Sequence, residues 1–130
     1  MTDAYSECVR DHFEHPRHVG SLEHPDAVGY FENPASGASM VIHLAICKNV
    51  IHQAVFQSQG CAATIACGSV STVLLTDKTL DEAYRLSRDD VEGALGGLPS
   101  TRKHAADLAI GAVRSALADF KKSGLQNCKS

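Results

Sequence analysis

Tryptophan is absent from this chain and aromatic residues make up only 5% of it, which leaves little surface on which bases could stack. The basic residues are scattered, the formal charge is -3, and no contiguous positive stripe runs through the sequence. Together these features exclude DNA and RNA as partners. No stretch approaches the ~20 apolar residues of a membrane span, and the opening MTDAYSECVR carries acidic residues without an apolar leader. A cytoplasmic protein that stays off the membrane is predicted.

The five cysteines, at 8, 47, 61, 67 and 128, form no Cys-x-x-Cys pair and are odd in number. A secreted disulfide framework is therefore a poor fit, and each thiol reads as either a packed side chain or a ligand. No Ser-His-Asp order or paired-carboxylate spacing occurs, and GALGG lacks the lysine and preceding strand of a phosphate loop. Histidines 12, 15, 18 and 24 do not make a zinc site. Pro16 breaks the helix that would align the first three, and no cysteine lies among them.

What is present is enough for one core. At 130 residues and 44% apolar content, residues 1–130 read as a single domain that needs no staples. Tyr5, Cys8, Val9, His12 and Phe13 form a helical stripe within residues 3–14, ended by Pro16. AVGYFENP suggests a short strand, and residues 40–47 alternate in period 2. Lys48 and Asn49 make a hairpin turn, with residues 50–57 returning as the partner strand. From Cys61 the period becomes helical, with Ala63, Ala66, Cys67, Val70 and Leu74 on one stripe. Two shorter helices over 77–86 and 88–95 and a long one over 101–122 follow, then a frayed tail with Cys128. Strands first and helices after them predict an α+β fold, a small antiparallel sheet with helices packed on one face.

Two side chains stand where chemistry could occur. Cys61 follows Gly60 where the hairpin gives way to a helix, and the positive end of a helix favours a thiolate ligand or nucleophile. His104 lies in the first turn of the last helix, where a neutral imidazole can bind a metal. The plain alternatives stay beside these: a small buried cysteine and a solvated histidine. Cys8, Cys47 and Cys67 read as packing residues. Cys67 lies six residues beyond Cys61, about 240° round a helix and ~9 Å along it, so the two face different sides. The stretch NPASGASM has the turn of a binding loop, yet offers only Ser36, Ala38 and Ser39.

Five stretches carry a resemblance over nearly the whole chain: AYSECVRDHFEHPRHVG, ENPASG, AVFQSQGCAATIA, KTLDEA and GGLPSTRKHAADLAI. In this order they resemble the IscU/NifU N-terminal family of iron-sulfur cluster assembly scaffolds. The resemblance implies about three antiparallel strands with helices, no enzyme activity, and a site that holds a [2Fe-2S] cluster, iron or zinc. Family members usually place Cys-Gly-Asp in the turn, a cysteine at the helix after the hairpin, and a histidine, often followed by cysteine, on the last long helix. By position the second cysteine is Cys61 and the histidine is His104, whereas Ser36, Ala38 and Ala105 replace the other ligands. The Leu-Pro-Pro-Val-Lys segment read by a chaperone is LPSTR here.

A cluster or structural zinc wants four donors, and a serine hydroxyl does not replace a thiolate near neutral pH. Three readings follow. One is a scaffold-like metal or cluster binder that takes sulfur from a cysteine desulfurase or works with other assembly proteins; its donors are completed by a second chain in a homo-oligomer, a small thiol or a partner. Another is a metal-free homologue that binds the same assembly partners as a regulatory or adaptor module. The third is a thiol enzyme with Cys61 as nucleophile and His104 as base.

Overall fold

The computed structural model describes residues 6–98 and 103–123, with side chains through Lys121. The elements run α1 (Glu7–Glu14), β1 (Ala27–Glu32), β2 (Ser39–Cys47), β3 (Val50–Gln59), α2 (Ala62–Leu75), α3 (Leu80–Tyr84), α4 (Arg88–Ala94) and α5 (His104–Ser123). The strands form one antiparallel sheet in the order β1-β2-β3, as an α+β reading of the sequence requires. Along β2 the alternation is kept: Met40, Ile42, Leu44 and Ile46 are buried, and the residues between them are half-buried. Lys48 and Asn49 both have positive φ, 54° and 65°, the mirror-image turn whose twist suits a two-residue hairpin.

Helices α2 and α5 cover the buried face of the sheet, α5 over β1 and β2 and α2 over β3. Helix α1 lies outside, on α2. This makes α2 a central element, wrapped on more than the single stripe its apolar spacing suggests. Thr64, Ser69, Ser71 and Thr72 are as buried as its alanines. Two of these hydroxyls fasten the outer layer: Ser69 Oγ accepts from the Arg17 backbone N–H at 2.8 Å and lies 2.7 Å from His12 Nδ1, and Thr72 Oγ1 lies 3.2 Å from His18 Nδ1. Burial, and then the nearby Arg17 charge, hold the His12 imidazole below its ordinary value, with Asp11 opposing.

Both outer edges of the sheet are occupied. The outward N–H groups of β1 donate to helix α5, Val28 to Asp119 Oδ2 at 2.9 Å and Tyr30 to Ser115 Oγ at 3.1 Å. On the far side, Gly20 N–H donates to the Phe56 carbonyl and Phe56 N–H to that of His18, each at 2.9 Å. Edges satisfied in this way do not template further strands.

Several boundaries differ from those the sequence suggests. Helix α3 starts at Leu80, because residues 77–79 first run beside β3, with Asp77 N–H on the Ile51 carbonyl and Ile51 N–H on that of Lys78. A capping box between Thr79 and Glu82 then opens the helix. Helix α1 has Ser6 as its cap, the hydroxyl accepting from Val9 N–H; Tyr5, expected on its stripe, lies outside the described residues. Cys47, expected as a packed thiol, is half-buried and disulfide-bonded. The tail with Cys128 and the segment 99–102 also lie outside the described residues.

Candidate functional site

Strand register sets the geometry of one end of the sheet. Ser39 pairs with Glu32 on one side and with Gln59 on the other. The turn joining β1 to β2 therefore sits beside the junction of β3 and α2. Cys61 follows two residues after Gln59, at the end of β3 where that pairing stops. Meanwhile β1 runs antiparallel along α5, from Val28 beside Asp119 to Phe31 beside Gly111, which brings Asn33 and Pro34 toward the start of α5.

The turn holds itself together. Gly37 N–H donates to the Asn33 carbonyl at 2.7 Å, and Asn33 N–H donates to the Ala38 carbonyl at 2.8 Å. The Asn33 side chain accepts from Ala35 N–H at 2.9 Å, and Ser36 Oγ accepts from Ala38 N–H at 3.2 Å. Gly37 sits at φ 78°, where a side chain would be strained. The loop thus persists without reactive groups because its own amides and one hydroxyl close it. Ser36 is exposed, whereas Ala38 is buried.

Cys61 is the N-cap residue of α2 and is half-buried. Its side chain makes no capping hydrogen bond, and its Sγ lies 3.7 Å from Thr64 Oγ1. His104, the first residue of α5, is half-buried and lines a cleft of about 220 Å³ with Phe31, Glu32, Asn33, Pro34 and Asp107. Cys61 is not part of that lining. His104 thus shares a cleft with Asn33 and Pro34 of the turn, while Cys61 lies just past the strand end that pairs with the turn's last flanking residue, Ser39. Ala105 is fully buried. Among the described residues, no set of three His, Cys, Asp or Glu side chains is placed to hold a metal ion.

Cys67 is a core residue. It is 0% exposed, and burial first, then the charges of Cys61 and Glu92, push its thiol up from 9.0 to about 12. Such a thiol is neither a ligand nor a nucleophile near neutral pH. Native protein treated with iodoacetamide at pH 8 is expected to label Cys61 and the exposed Cys8 well before Cys67; equal labelling would contradict this. The sign of the pH effect also follows. Because the folded thiol titrates above the unfolded one, its contribution to stability is intact below about pH 9 and is lost as pH rises toward 12. Cys67→Ala should remove that part of the alkaline slope.

Sequence reasoning missed the charged support behind His104. Glu92 on α4 takes Lys103 Nζ at 2.8 Å and lies 3.6 Å from Arg88 Nε, while Arg88 reaches Asp107 at 3.3 Å. These pairs tie α4 to the first turn of α5. The Arg88–Glu92 spacing was legible as an i,i+4 pair; the contacts across to α5 carried no local signal.

Comparison with known proteins agrees with this fold. The family model described as NifU-like N terminal domain matches residues 4–127. Iron-sulfur cluster assembly scaffold protein IscU 1 of Archaeoglobus fulgidus is 45% identical over 121 residues, 92% of this chain and 79% of the relative. The scaffold protein IscU of Escherichia coli K12 is 37% identical over 122 residues, 91% of this chain and 94% of the relative. Among solved structures, the N-terminal NifU-like protein of Brucella abortus aligns with a TM-score of 0.77 over 90% of this chain and 94% of its own. At 17% identity that likeness establishes the fold alone.

Proposed function

The chain belongs to the NifU-like N-terminal domain family, and from that premise we propose that it acts in iron-sulfur cluster assembly, with Cys61 as sulfur acceptor and His104 as a second donor. The observation that supports this reading is the self-closed 33–38 turn, with His104 in a cleft beside Asn33 and Pro34 and with Cys61 two residues beyond Gln59, the partner of Ser39. Its cargo is iron, zinc or a [2Fe-2S] unit, and its partners are a cysteine desulfurase and other assembly proteins of the cytoplasm. The chain turns over no substrate of its own.

Two donors do not close a four-coordinate shell, so cargo is held briefly, or between two chains that each give Cys61 and His104, or with a small thiol or partner completing the set. Anaerobic reconstitution with iron and sulfide tests this. The expected product is a labile species with sulfide charge-transfer absorption, at less than one cluster per chain and enriched in the dimer. Absence of bound metal and of that absorption at every oligomeric state would rule the reading out.

A second reading has its own support. Ser36 spends its hydroxyl on the turn, and Ala38 and Ala105 are buried, so the site end is stable without metal. That suits an adaptor that binds assembly partners and carries no cluster. Cys61→Ser separates the two, abolishing sulfur uptake under the first reading and leaving partner binding intact under the second.

A further inference from the structure

We propose that Thr64 is a positioning residue for Cys61, its buried hydroxyl donating to Sγ and holding the sulfur in one rotamer to receive sulfur from a persulfide. The inference rests on the scaffold reading, in which Cys61 is the acceptor.

Thr64 is 0% exposed, and its hydroxyl meets the Cys61 sulfur at 3.7 Å, within reach of an O–H···S bond. A buried helical threonine ordinarily bonds back to a carbonyl one turn earlier. Thr72 does so to the Ser69 carbonyl at 2.7 Å, and the half-buried cap residue Thr76 does so to that of Thr72 at 2.8 Å. At Thr64 the corresponding Cys61 carbonyl already accepts the N–H groups of Thr64 and Ile65, at 3.0 and 3.2 Å, and the hydroxyl is turned to the sulfur instead.

Gly60 makes that arrangement fit. A Cβ at Gly60 would stand 2.7 Å from Thr64 Oγ1 and 2.9 Å from its Cβ, so the missing side chain admits the threonine against the main chain. Gly60 also sits at φ 156°, where other side chains are strained. A helical threonine has two open χ1 settings, and the one that turns the hydroxyl to the sulfur is taken here. With a neutral thiol either group can donate; against an anionic sulfur only the hydroxyl can.

The step it serves is balanced. The Cys61 thiolate attacks the terminal sulfur of a donor cysteine persulfide, and a new S–S bond forms as the donor's S–S bond breaks. The donor leaves as a thiolate and Cys61 carries the persulfide, with no net oxidation. A sulfur fixed in direction meets the line of attack more often than one that rotates.

Thr64→Val removes the hydroxyl at nearly constant volume, and Thr64→Ser keeps it. Two readouts are needed in the full chain: the Hα–Hβ couplings of Cys61 without cargo, and the rate at which glutathione persulfide converts Cys61 to a persulfide, followed by peptide mass spectrometry. Native protein and Thr64→Ser are expected to show one Cys61 rotamer. Thr64→Val should show averaged couplings and about fivefold slower uptake, the scale of one ordinary hydrogen bond, with a melting curve confirming that it folds. A single rotamer and native rate in Thr64→Val would overturn the inference. Native protein that never takes up sulfur at Cys61 would overturn the scaffold reading and this role with it, and the couplings tell that outcome from loss of the contact.

Discussion

The double substitution Ser36→Cys/Ala105→Cys is expected to tighten zinc binding by a factor on the order of 30 to 1000, about 2–4 kcal/mol, and to stabilise a cluster on one isolated chain. Four-donor structural zinc sites are worth about 10–16 kcal/mol, or roughly 3 kcal/mol for each donor. Adding two donors to Cys61 and His104 therefore contributes about 6 kcal/mol before costs. The costs are smaller. Exposed Ser36 accepts one long hydrogen bond from Ala38 N–H, worth about 1 kcal/mol. Ala105 is 0% exposed, so a sulfur there overpacks the start of α5 by about 1–3 kcal/mol. Competition with a chromophoric zinc chelator measures the result. Tightening of less than tenfold would show that positions 36 and 105 do not face the same point as Cys61 and His104.

Gly29→Ala is expected to destabilise the protein by about 3 kcal/mol or more, a large part of the usual 5–15 kcal/mol margin of a domain. A methyl at this position would lie 2.2 Å from the Ala112 carbonyl oxygen and 2.4 Å from the Ala116 nitrogen. Both are main-chain atoms of α5, which cannot rotate aside as a side chain would. The helix must lift from β1, loosening the contacts that Asp119 and Ser115 make with the strand edge and shifting the helix that begins at His104. Urea unfolding reads the loss as a lower midpoint. A change below about 1 kcal/mol would mean that α5 and β1 are less closely seated than the structure has them.

Much of the fold was legible locally. Period 2 in residues 40–47, the Lys48-Asn49 turn and the helical spacing after Cys61 each report a neighbourhood only a few residues wide. Where distant partners intervene, local rules fell short. Residues 77–79 carry helix-compatible chemistry, yet β3 holds them through an isolated bridge and two backbone hydrogen bonds, so α3 begins late. The apolar stripe of α2 predicted one buried side; α1, α4, α5 and β3 together enclose it, and Ser69 and Thr72 become internal fasteners. For Cys67 the spacing argument and the burial agree, because a position that turns away from the site on a central helix has only core to face.

Residue identity alone fixed which donors this chain has: a thiol at 61, an imidazole at 104, and neither at 36, 38 and 105. Only the folded chain decided their neighbours. The β2–β3 register ends the hairpin two residues before Cys61, the antiparallel run of β1 along α5 brings His104 to a cleft beside Asn33 and Pro34, and the Gly60 gap lets Thr64 reach the sulfur. Donor chemistry belongs to single side chains and is written in the sequence, whereas proximity between residues dozens apart is set by strand pairing and helix packing, which no local pattern encodes.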